Sequence, residues 1–294
     1  MKNPKIFGVW GNIEKDAFWN VLPKIINWAK DKNLELFLTE KIILDVRAKE
    51  FDQPVINSKE KISEMDFMLV LGGDGTFLSC ARAVENRSTP ILGIHLGDLG
   101  FLAKVTLENI FQRLDQVSNG LFTVEKRSMV KASILKNGTN LTKYGLNDFV
   151  VSNGESHRML IAEVYVDDNR VSEYKADGLI VATPTGSTAY SLSSGGPIIS
   201  PDVDSFVITP ISAHTLNSRP LVVSAKSRIK IQFSPYNENI LLITDGQLHE
   251  LLTAQDTVLI TDSDFEIGLI DFEDDDYFQT LRTKMGWGTR GGSS

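Results

Sequence analysis

A glycine-rich segment with one embedded acid is the part of this sequence best suited to chemistry. The apolar run 67–71 is followed by Gly72, Gly73, Asp74, Gly75 and Thr76. Glycines at the end of a buried strand leave backbone N–H groups open to a phosphate. A carboxylate there can hold a divalent cation or accept a proton from an attacking hydroxyl. The alternative is a tight turn in which Asp74 caps the next helix.

A second segment, 174–197, is dense in hydroxyl groups and includes an apolar strand pattern at 179–182. Hydroxyls and loop amides can bind the edge of a base, a ribose or a phosphate without carrying charge. Tyr190 adds a ring on which a base can stack. Loops rich in serine and threonine are also common as simple turns, which is the alternative interpretation. The hydroxyl-bearing residues are Thr183, Thr185, Ser187, Thr188, Tyr190, Ser191, Ser193 and Ser194.

Shorter polar signals accompany these two segments. Asn147 and Asp148 place an amide beside a carboxylate, and such a pair can hydrogen bond to adenine and to ribose hydroxyls. An Asx turn at the end of a strand is the alternative. Asp245-Gly246 is a common hairpin signal, so a ligand contact of Asp245 is a secondary expectation. The four histidines lack the spacing of a zinc site, and we predict no dedicated metal-binding residues.

The first third of the chain alternates strand and helix patterns, which predicts βαβ units and a parallel, Rossmann-like sheet. Ligands bind such sheets at the carboxyl ends of the strands, where the glycine-rich segment lies. Pro23 falls inside the first helical pattern and predicts either a kink or a helix that starts near Leu22. The predicted strands cover 5–10, 34–39, 67–71 and 90–95, and the predicted helices cover 16–32, 76–85 and 106–118.

Beyond about residue 122, short alternating segments separated by turn residues predict a β-sandwich-like domain. A final helical pattern over 275–287 is expected to return to the N-terminal domain. The predicted strands cover 128–135, 159–166, 178–182, 206–209, 221–224, 228–233, 240–244, 257–260 and 265–270. The predicted domains are 1–124 with 271–288 packed back onto it, 125–270, and a disordered tail at 289–294.

Composition narrows the class of protein. The chain has 294 residues, 42% of them apolar, and a formal net charge of −8. This acidic balance argues against binding to nucleic acid, which requires clustered Lys and Arg. Cys80 is the only cysteine, so no intrachain disulfide can form, as is usual in the cytoplasm. No window approaches the roughly 18 apolar residues of a membrane span.

Taken together, these segments resemble the signatures of the NAD kinase family. Gly72–Thr76 resembles a motif that NAD kinases share with lipid kinases of the diacylglycerol and sphingosine type. The run from Asp177 to Pro197 resembles the second NAD kinase signature, which separates the two groups. Further matches lie at Asn147-Asp148, Ser212–Pro220 and Thr244–Gln247. The resemblance extends in order over roughly residues 5 to 285.

The resemblance implies an enzyme that transfers the γ-phosphoryl group of ATP to the 2′-hydroxyl of the adenosine ribose of NAD. It implies Asp74 as the general base, with Gly72, Gly73, Gly75 and Thr76 against the phosphates. It also implies that Asn147, Asp148, Thr188, Ala189 and Tyr190 hold the adenosine half, and that Phe77 and Asp177 touch the nicotinamide half. The full set of expected NAD contacts is Phe77, Asn147, Asp148, Asp177, Thr185, Thr188, Ala189, Tyr190, Ser193, Ala213 and Asp245.

The resemblance also implies a cofactor and partners. Mg²⁺ is expected to be held mainly by the substrate phosphates rather than by protein ligands. The expected partners are NAD and a phosphoryl donor, either ATP or inorganic polyphosphate, with no nucleic acid and no membrane. A cytoplasmic homodimer or homotetramer is expected. A lipid kinase and a nucleotide-binding regulator without turnover are the alternatives.

Overall fold

A parallel sheet and a set of antiparallel strands organise two separate parts of the chain. The computed structural model describes residues 3–97, 100–136, 138–154, 158–214 and 217–287. These divide into two compact units. The first unit contains the residues up to Lys126 and those from Ile267 onward, and the second runs from Arg127 to Glu266. The predicted disordered tail at 289–294 lies outside the described residues.

The sheet of the first unit has the strand order β3-β2-β1-β4-β5, with every neighbouring pair parallel. This confirms the predicted α/β class. β4 is buried at every position, as a strand covered on both faces should be. The strands are β1 (Ile6–Gly11), β2 (Glu35–Thr39), β3 (Val55–Ile56), β4 (Phe67–Gly72) and β5 (Ile91–His95). The helices are α1 (Asp16–Asp31), α2 (Glu40–Ile43), α3 (Lys59–Ile62), α4 (Asp74–Val84), α5 (Ile110–Ser118) and, near the end of the chain, α7 (Tyr277–Met285).

Helix α1 continues through Pro23 instead of starting near Leu22, so that alternative is wrong. Its buried residues recur at helical spacing, from Phe18 to Ala29, and form part of the core of the first unit. Pro23 itself is exposed. The carbonyl group that its missing N–H leaves without a helical partner therefore lies on the solvent side, where water can satisfy it.

The final helix, α7, belongs to the first unit. It begins directly after the acidic run at residues 271–276. Asp276 caps the helix by accepting a hydrogen bond from the N–H of Phe278 at 2.8 Å. Arg113 of α5 pairs with Asp274 at 2.7 Å and with Asp275 at 3.3 Å. The guanidinium of Arg113, which is partly buried, therefore ties the acidic run to α5. The run is also placed favourably at the N-terminus of α7.

The second unit is built from antiparallel strands, which confirms the predicted all-β class. One sheet has the order β13-β12-β11-β8-β15-β16, and a second group has the order β10-β9-β14-β17, with β6 paired to β7 and β17. The strands are β6 (Thr123–Lys136), β7 (Thr139–Gly145), β8 (Asp148–Ser152), β9 (Leu160–Val166), β10 (Asn169–Ala176), β11 (Gly178–Ala182), β12 (Ser205–Ile211), β13 (Leu221–Ser224), β14 (Ile229–Phe233), β15 (Ile240–Thr244), β16 (Leu248–Leu252) and β17 (Thr257–Asp271), with a short helix α6 (Tyr190–Ser193).

The strand predictions for this unit were incomplete. β7, β8, β10 and β16 were missed. β7, β10 and β16 carry many polar residues and complete hairpins whose first strands have the apolar pattern, and β8 follows directly on the polar pair Asn147-Asp148. The turn at Asp167 and Asp168 has φ angles of 49° and 66°, the left-handed conformation of a tight hairpin. β17 is one long strand and not the two predicted, since its polar middle, residues 261–264, continues the alternation.

Candidate functional site

The glycine-rich segment joins β4 to α4 at the carboxyl edge of the parallel sheet. β4 ends at Gly72, Gly73 is the N-cap residue, and α4 begins at Asp74, two residues earlier than predicted. A Cβ on Gly72 would overlap the side chain of Thr76, so a glycine is required for this close turn. The N-terminus of an eleven-residue helix thus follows directly after a buried strand, which is the arrangement that favours bound phosphate.

The carboxylate of Asp74 is held by backbone N–H groups of a different segment. Phe101 donates to Oδ2 at 2.9 Å, and Leu102 and Ala103 donate to Oδ1 at 3.1 and 3.2 Å. The N-cap residue of α4 is Gly73, and the hydrogen bonds of the Asp74 side chain go to this other segment and not to α4. The structure therefore does not support the alternative in which Asp74 only caps the helix.

These hydrogen bonds leave the two carboxylate oxygens unequal. A carboxylate can accept about four hydrogen bonds, two on each oxygen. Oδ1 accepts two from the protein, whereas Oδ2 accepts one, from Phe101. Oδ2 therefore has an acceptor position for an outside hydroxyl. Bidentate binding of a cation through both oxygens would compete with the three N–H donors, whereas a single contact through Oδ2 would not.

The segment that holds Asp74 was missed by the sequence analysis. It follows β5, whose last residue, His95, is in register with Gly72 of β4. His95 Nδ1 lies 2.6 Å from the carbonyl oxygen of Gly97, at the start of the same loop. A signal existed, since a glycine-containing loop after a second parallel strand must lie at the same sheet edge. The bonds themselves use only backbone N–H groups, so no side-chain type indicates them.

The second unit contains a cavity of about 250 Å³ that gathers five of the predicted site residues. Whole ligand pockets usually measure roughly 300–1,000 Å³, so this volume suits one part of a dinucleotide. Its walls combine aliphatic side chains and the Tyr190 ring with a few polar groups, a composition suited to a base. The lining residues are Asn147, Asp148, Val150, Ala189, Tyr190, Ile243, Asp245, Gly246 and His249.

Asp245 organises the polar side of this cavity from the turn between β15 and β16. Its carboxylate accepts hydrogen bonds from the N–H groups of Leu146, Asn147 and Asp148, at 3.3, 2.8 and 3.3 Å. Asp148 is only 3% exposed. Burial, and secondly the charge of Asp245, raise the pKa of the Asp148 carboxyl from 3.8 to about 7. Asp148 can therefore present either a neutral or an ionised carboxyl near neutral pH.

Several hydroxyl groups of the segment 174–197 make hydrogen bonds within the fold. Thr183 is fully buried, donates to the carbonyl of Leu146 at 2.6 Å and accepts from the N–H of Gly186 at 3.1 Å. Ser187, also fully buried, donates to Pro184 at 2.6 Å and accepts from the N–H of Ile199 at 2.9 Å. These bonds fix the loop that presents Ala189 and Tyr190, so part of the simple-turn interpretation is correct.

Other predicted contacts are not among the residues that line this cavity. Phe77 is fully buried, and its side chain presents no surface to a ligand. Thr185 is 7% exposed, and its hydroxyl lies 3.4 Å from an Arg127 nitrogen that donates to it. The cavity lining does not include Asp177, Thr188, Ser193 or Ala213. It does include Val150, Ile243 and His249, which no sequence motif indicated.

Neither a metal cluster nor a membrane helix is present in the described part of the chain. No group of three or more His, Cys, Asp or Glu side chains is arranged there to bind a metal ion. No described helix has the length and apolar content needed to cross a membrane.

Comparison with known proteins agrees with these features. Residues 8–122 match the ATP-NAD kinase N-terminal domain, and residues 146–272 match the ATP-NAD kinase C-terminal domain. The NAD kinase of Syntrophotalea carbinolica is 40% identical over 288 residues, which cover 97% of this chain and 100% of that protein. The NAD kinase of Caldanaerobacter subterraneus subsp. tengcongensis is 39% identical over 282 residues, which cover 96% and 99% of the two chains.

Solved structures share the fold. An NAD kinase from Archaeoglobus fulgidus in complex with ATP has a TM-score of 0.76 at 26% identity, covering 96% of this chain and 98% of its own. Yeast NADH kinase complexed with NADH has a TM-score of 0.89 at 22% identity, covering 100% of this chain and 91% of its own. The extent and identity of the sequence matches place the chain in the NAD kinase family.

Proposed function

We propose that this protein is an NAD kinase that transfers the γ-phosphoryl group of ATP to the 2′-hydroxyl of the adenosine ribose of NAD, giving NADP and ADP. The observation that carries the proposal is the Asp74 carboxylate. It lies in a glycine-rich turn at a helix N-terminus, and its Oδ2 has a position open to a hydroxyl. That is the group such a transfer needs, in a chain whose relatives are named NAD kinases.

In this reaction Oδ2 of Asp74 takes the proton of the 2′-hydroxyl as its oxygen forms a bond to the γ-phosphorus. The bond from that phosphorus to the β,γ-bridging oxygen breaks, and ADP leaves. Gly72, Gly73, Gly75 and Thr76 lie against the phosphates, where backbone N–H groups and the N-terminus of α4 favour negative charge. Positioning and charge neutralisation supply most of the rate in such transfers.

We further propose that magnesium enters as the magnesium–ATP complex, with the phosphates as its main ligands. The engagement of Asp74 with three N–H donors supports this role, because these donors occupy acceptor positions that a cation would otherwise use. Magnesium would neutralise charge on the transferred group. The protein residues contribute position and the proton acceptor.

The cavity of the second unit is the proposed site for the adenosine half of NAD. Tyr190 is 47% exposed at its edge and offers a ring face for stacking. Asn147 and Asp148 offer an amide and a carboxyl to the polar edge of the base and to ribose hydroxyls. The proposed contacts of Phe77, Asp177, Thr185, Thr188, Ser193 and Ala213 with NAD have no comparable support from their positions.

The deciding experiment is an NADP-formation assay on the purified full-length chain. NAD or NADH is incubated with ATP or inorganic polyphosphate, with and without Mg²⁺, and the product is measured with an NADP-specific dehydrogenase. We expect magnesium-dependent NADP formation from NAD and ATP. Phosphorylation of sphingosine or diacylglycerol in its place would identify a lipid kinase. Binding of NAD without any product would identify a regulator.

We also propose a homodimer or homotetramer in the cytoplasm. The single cysteine, Cys80, is fully buried and free, in keeping with a reducing compartment. Light scattering coupled to gel filtration should give two or four times the chain mass of 32.6 kDa. A monomer mass at micromolar concentration would contradict the oligomer. Localisation of a tagged chain in the envelope fraction would contradict the cytoplasmic assignment.

A further inference from the structure

Gly100 lies directly against the carboxylate of Asp74. A Cβ on Gly100 would overlap Oδ1 of Asp74 and lie 2.6 Å from its Cγ and 2.9 Å from its Oδ2. The φ angle of Gly100 is outside the left-handed region, so its backbone conformation is open to other residues. The requirement for glycine at this position therefore comes from the approach to Asp74 and not from the backbone.

The residues after Gly100 have little room to move away from a side chain added at that position. Leu102 is 5% exposed and Ala103 is fully buried. A Cβ on Gly93 of β5 would lie 2.8 Å from the Cα of Ala103, which shows how closely this loop packs on the sheet. Because the three N–H donors to Asp74 follow Gly100 immediately, a side chain at Gly100 must displace either the carboxylate or these donors.

We propose that Gly100 is a positioning residue for phosphoryl transfer, because its missing side chain lets three consecutive N–H groups hold the Asp74 carboxylate with Oδ2 open to the substrate hydroxyl. This inference rests on the proposed function, in which Oδ2 accepts the proton. It assigns a role to a residue that contacts neither NAD nor ATP in that scheme. Gly100 acts only through Asp74.

A displacement of the Asp74 carboxylate should have a specific effect on kcat and KM. Oδ1, the oxygen that a methyl group would meet, accepts two of the three hydrogen bonds, so relieving the overlap turns or shifts the whole carboxylate. A misplacement of about 1 Å at a reacting group can lower turnover by roughly 10²-fold. Substrate affinity depends on other residues and should change little. Gly100→Ala should therefore lower kcat by about 10- to 100-fold and leave KM for NAD and for ATP within about twofold.

The test is a double-mutant cycle on the full-length chain, with Gly100→Ala, Asp74→Ala and the combined variant. Asp74→Ala removes the side chain that the new methyl group would meet. With Asp74 present, Gly100→Ala should lower Tm by roughly 3–10 °C, as overpacking does, and lower kcat as above. In the Asp74→Ala background, Gly100→Ala should change neither Tm nor the residual kcat.

A matched control is Gly97→Ala in the same loop. Among the described residues, a Cβ on Gly97 would meet only the flexible end of Lys15, at 3.2 Å. Tm and kcat of this variant should stay close to those of the wild type. Equal losses from Gly100→Ala with and without Asp74, or an unchanged kcat with Asp74 present, would overturn the inference while leaving NAD kinase activity intact. A wild-type chain that makes no NADP would overturn the proposed function and the catalytic role of Gly100 together. The Tm values of the double-mutant cycle would still measure the coupling between Gly100 and Asp74.

Discussion

Asp245 and Asp148 lie 97 residues apart in sequence and share one side of a small cavity. The carboxylate of Asp245 accepts the backbone N–H of Asp148 at 3.3 Å, and its charge adds to the effect of burial on the Asp148 side chain. Together, burial and Asp245 raise the pKa of Asp148 to about 7. This relationship determines how the stability of the protein should depend on pH.

The first prediction concerns Asp148→Asn. Because the folded-state pKa of Asp148 is raised from 3.8 to about 7, the folded state retains a proton that the unfolded state releases. The corresponding stability is fully present below pH 3.8 and is lost as the pH rises through about 7. The total change is on the order of 4 kcal/mol. Asp148→Asn removes this dependence, so the variant should gain stability relative to the wild type as pH rises.

Urea unfolding of both proteins between pH 5 and pH 8.5 measures this effect. The other titrating groups are common to the two proteins, so the difference in unfolding free energy reports Asp148 together with its interaction with Asp245. A difference that stays constant across this range would contradict the raised pKa. Since the carboxyl is also a proposed adenosine contact, KM for NAD should rise in the variant even where its stability is greater.

The second prediction concerns Asp74→Asn. Loss of the proposed general base should lower kcat by roughly 10²–10⁴-fold. The structure adds a second effect. Both oxygens of Asp74 accept N–H groups, whereas an amide has one acceptor oxygen, so at least one hydrogen bond is lost and the protein is destabilised by about 1–3 kcal/mol. Steady-state NADP formation and thermal melting measure the two effects separately.

Asp66→Asn is the matched control for this substitution. Asp66 also accepts two backbone N–H groups, from Lys5 at 2.7 Å and Ile6 at 3.0 Å, but both reach the same oxygen, Oδ2. One amide oxygen can replace it. Asp66→Asn should therefore keep kcat and lose less stability than Asp74→Asn. Turnover in folded Asp74→Asn equal to that of Asp66→Asn would remove Asp74 as the base.

The parallel sheet and its glycine-rich turn could be predicted because their signals are local. The apolar run of β4 followed by glycines defines a strand, a turn and a helix within a dozen residues. The support of Asp74 could not be predicted in the same way. Its partners, Phe101 to Ala103, are about 28 positions away and donate only backbone N–H groups, which every non-proline residue has.

In the second unit too, the sequence indicated some site residues and not the role of others. Asn147, Asp148, Tyr190 and Asp245 stand out as polar or aromatic residues in turns, and the structure brings them to one cavity. The hydroxyl-rich loop was harder to interpret. Thr183, Ser187 and Thr188 all have side chains able to bind a ligand, yet the first two are fully buried and bond the backbone. Burial is a property of the packed sheets and is not encoded in the hydroxyl itself.

The third prediction concerns Tyr190, whose ring is 47% exposed at the edge of the cavity. Stacking of a base on an aromatic ring contributes about 1–3 kcal/mol. Tyr190→Ala should therefore raise KM for NAD by roughly 5- to 150-fold with little change in kcat, while Tyr190→Phe, which keeps the ring, should stay close to wild type. Tyr236→Ala is the control, since Tyr236 is 80% exposed and outside the cavity lining. An unchanged KM in Tyr190→Ala would exclude stacking.

The fourth prediction separates the structural hydroxyls from the proposed ligand contacts. Thr183→Val keeps the shape of the side chain but removes the donor to Leu146 and the acceptor for Gly186, both in a fully buried position. Leaving these groups without partners should destabilise the protein by about 1–3 kcal/mol each. Thr188 is partly exposed and donates one bond, to the carbonyl of Thr185 at 3.1 Å, so Thr188→Val should lower Tm much less. If Thr183→Val melts like the wild type but raises KM for NAD, its hydroxyl binds the substrate and the structural assignment is wrong.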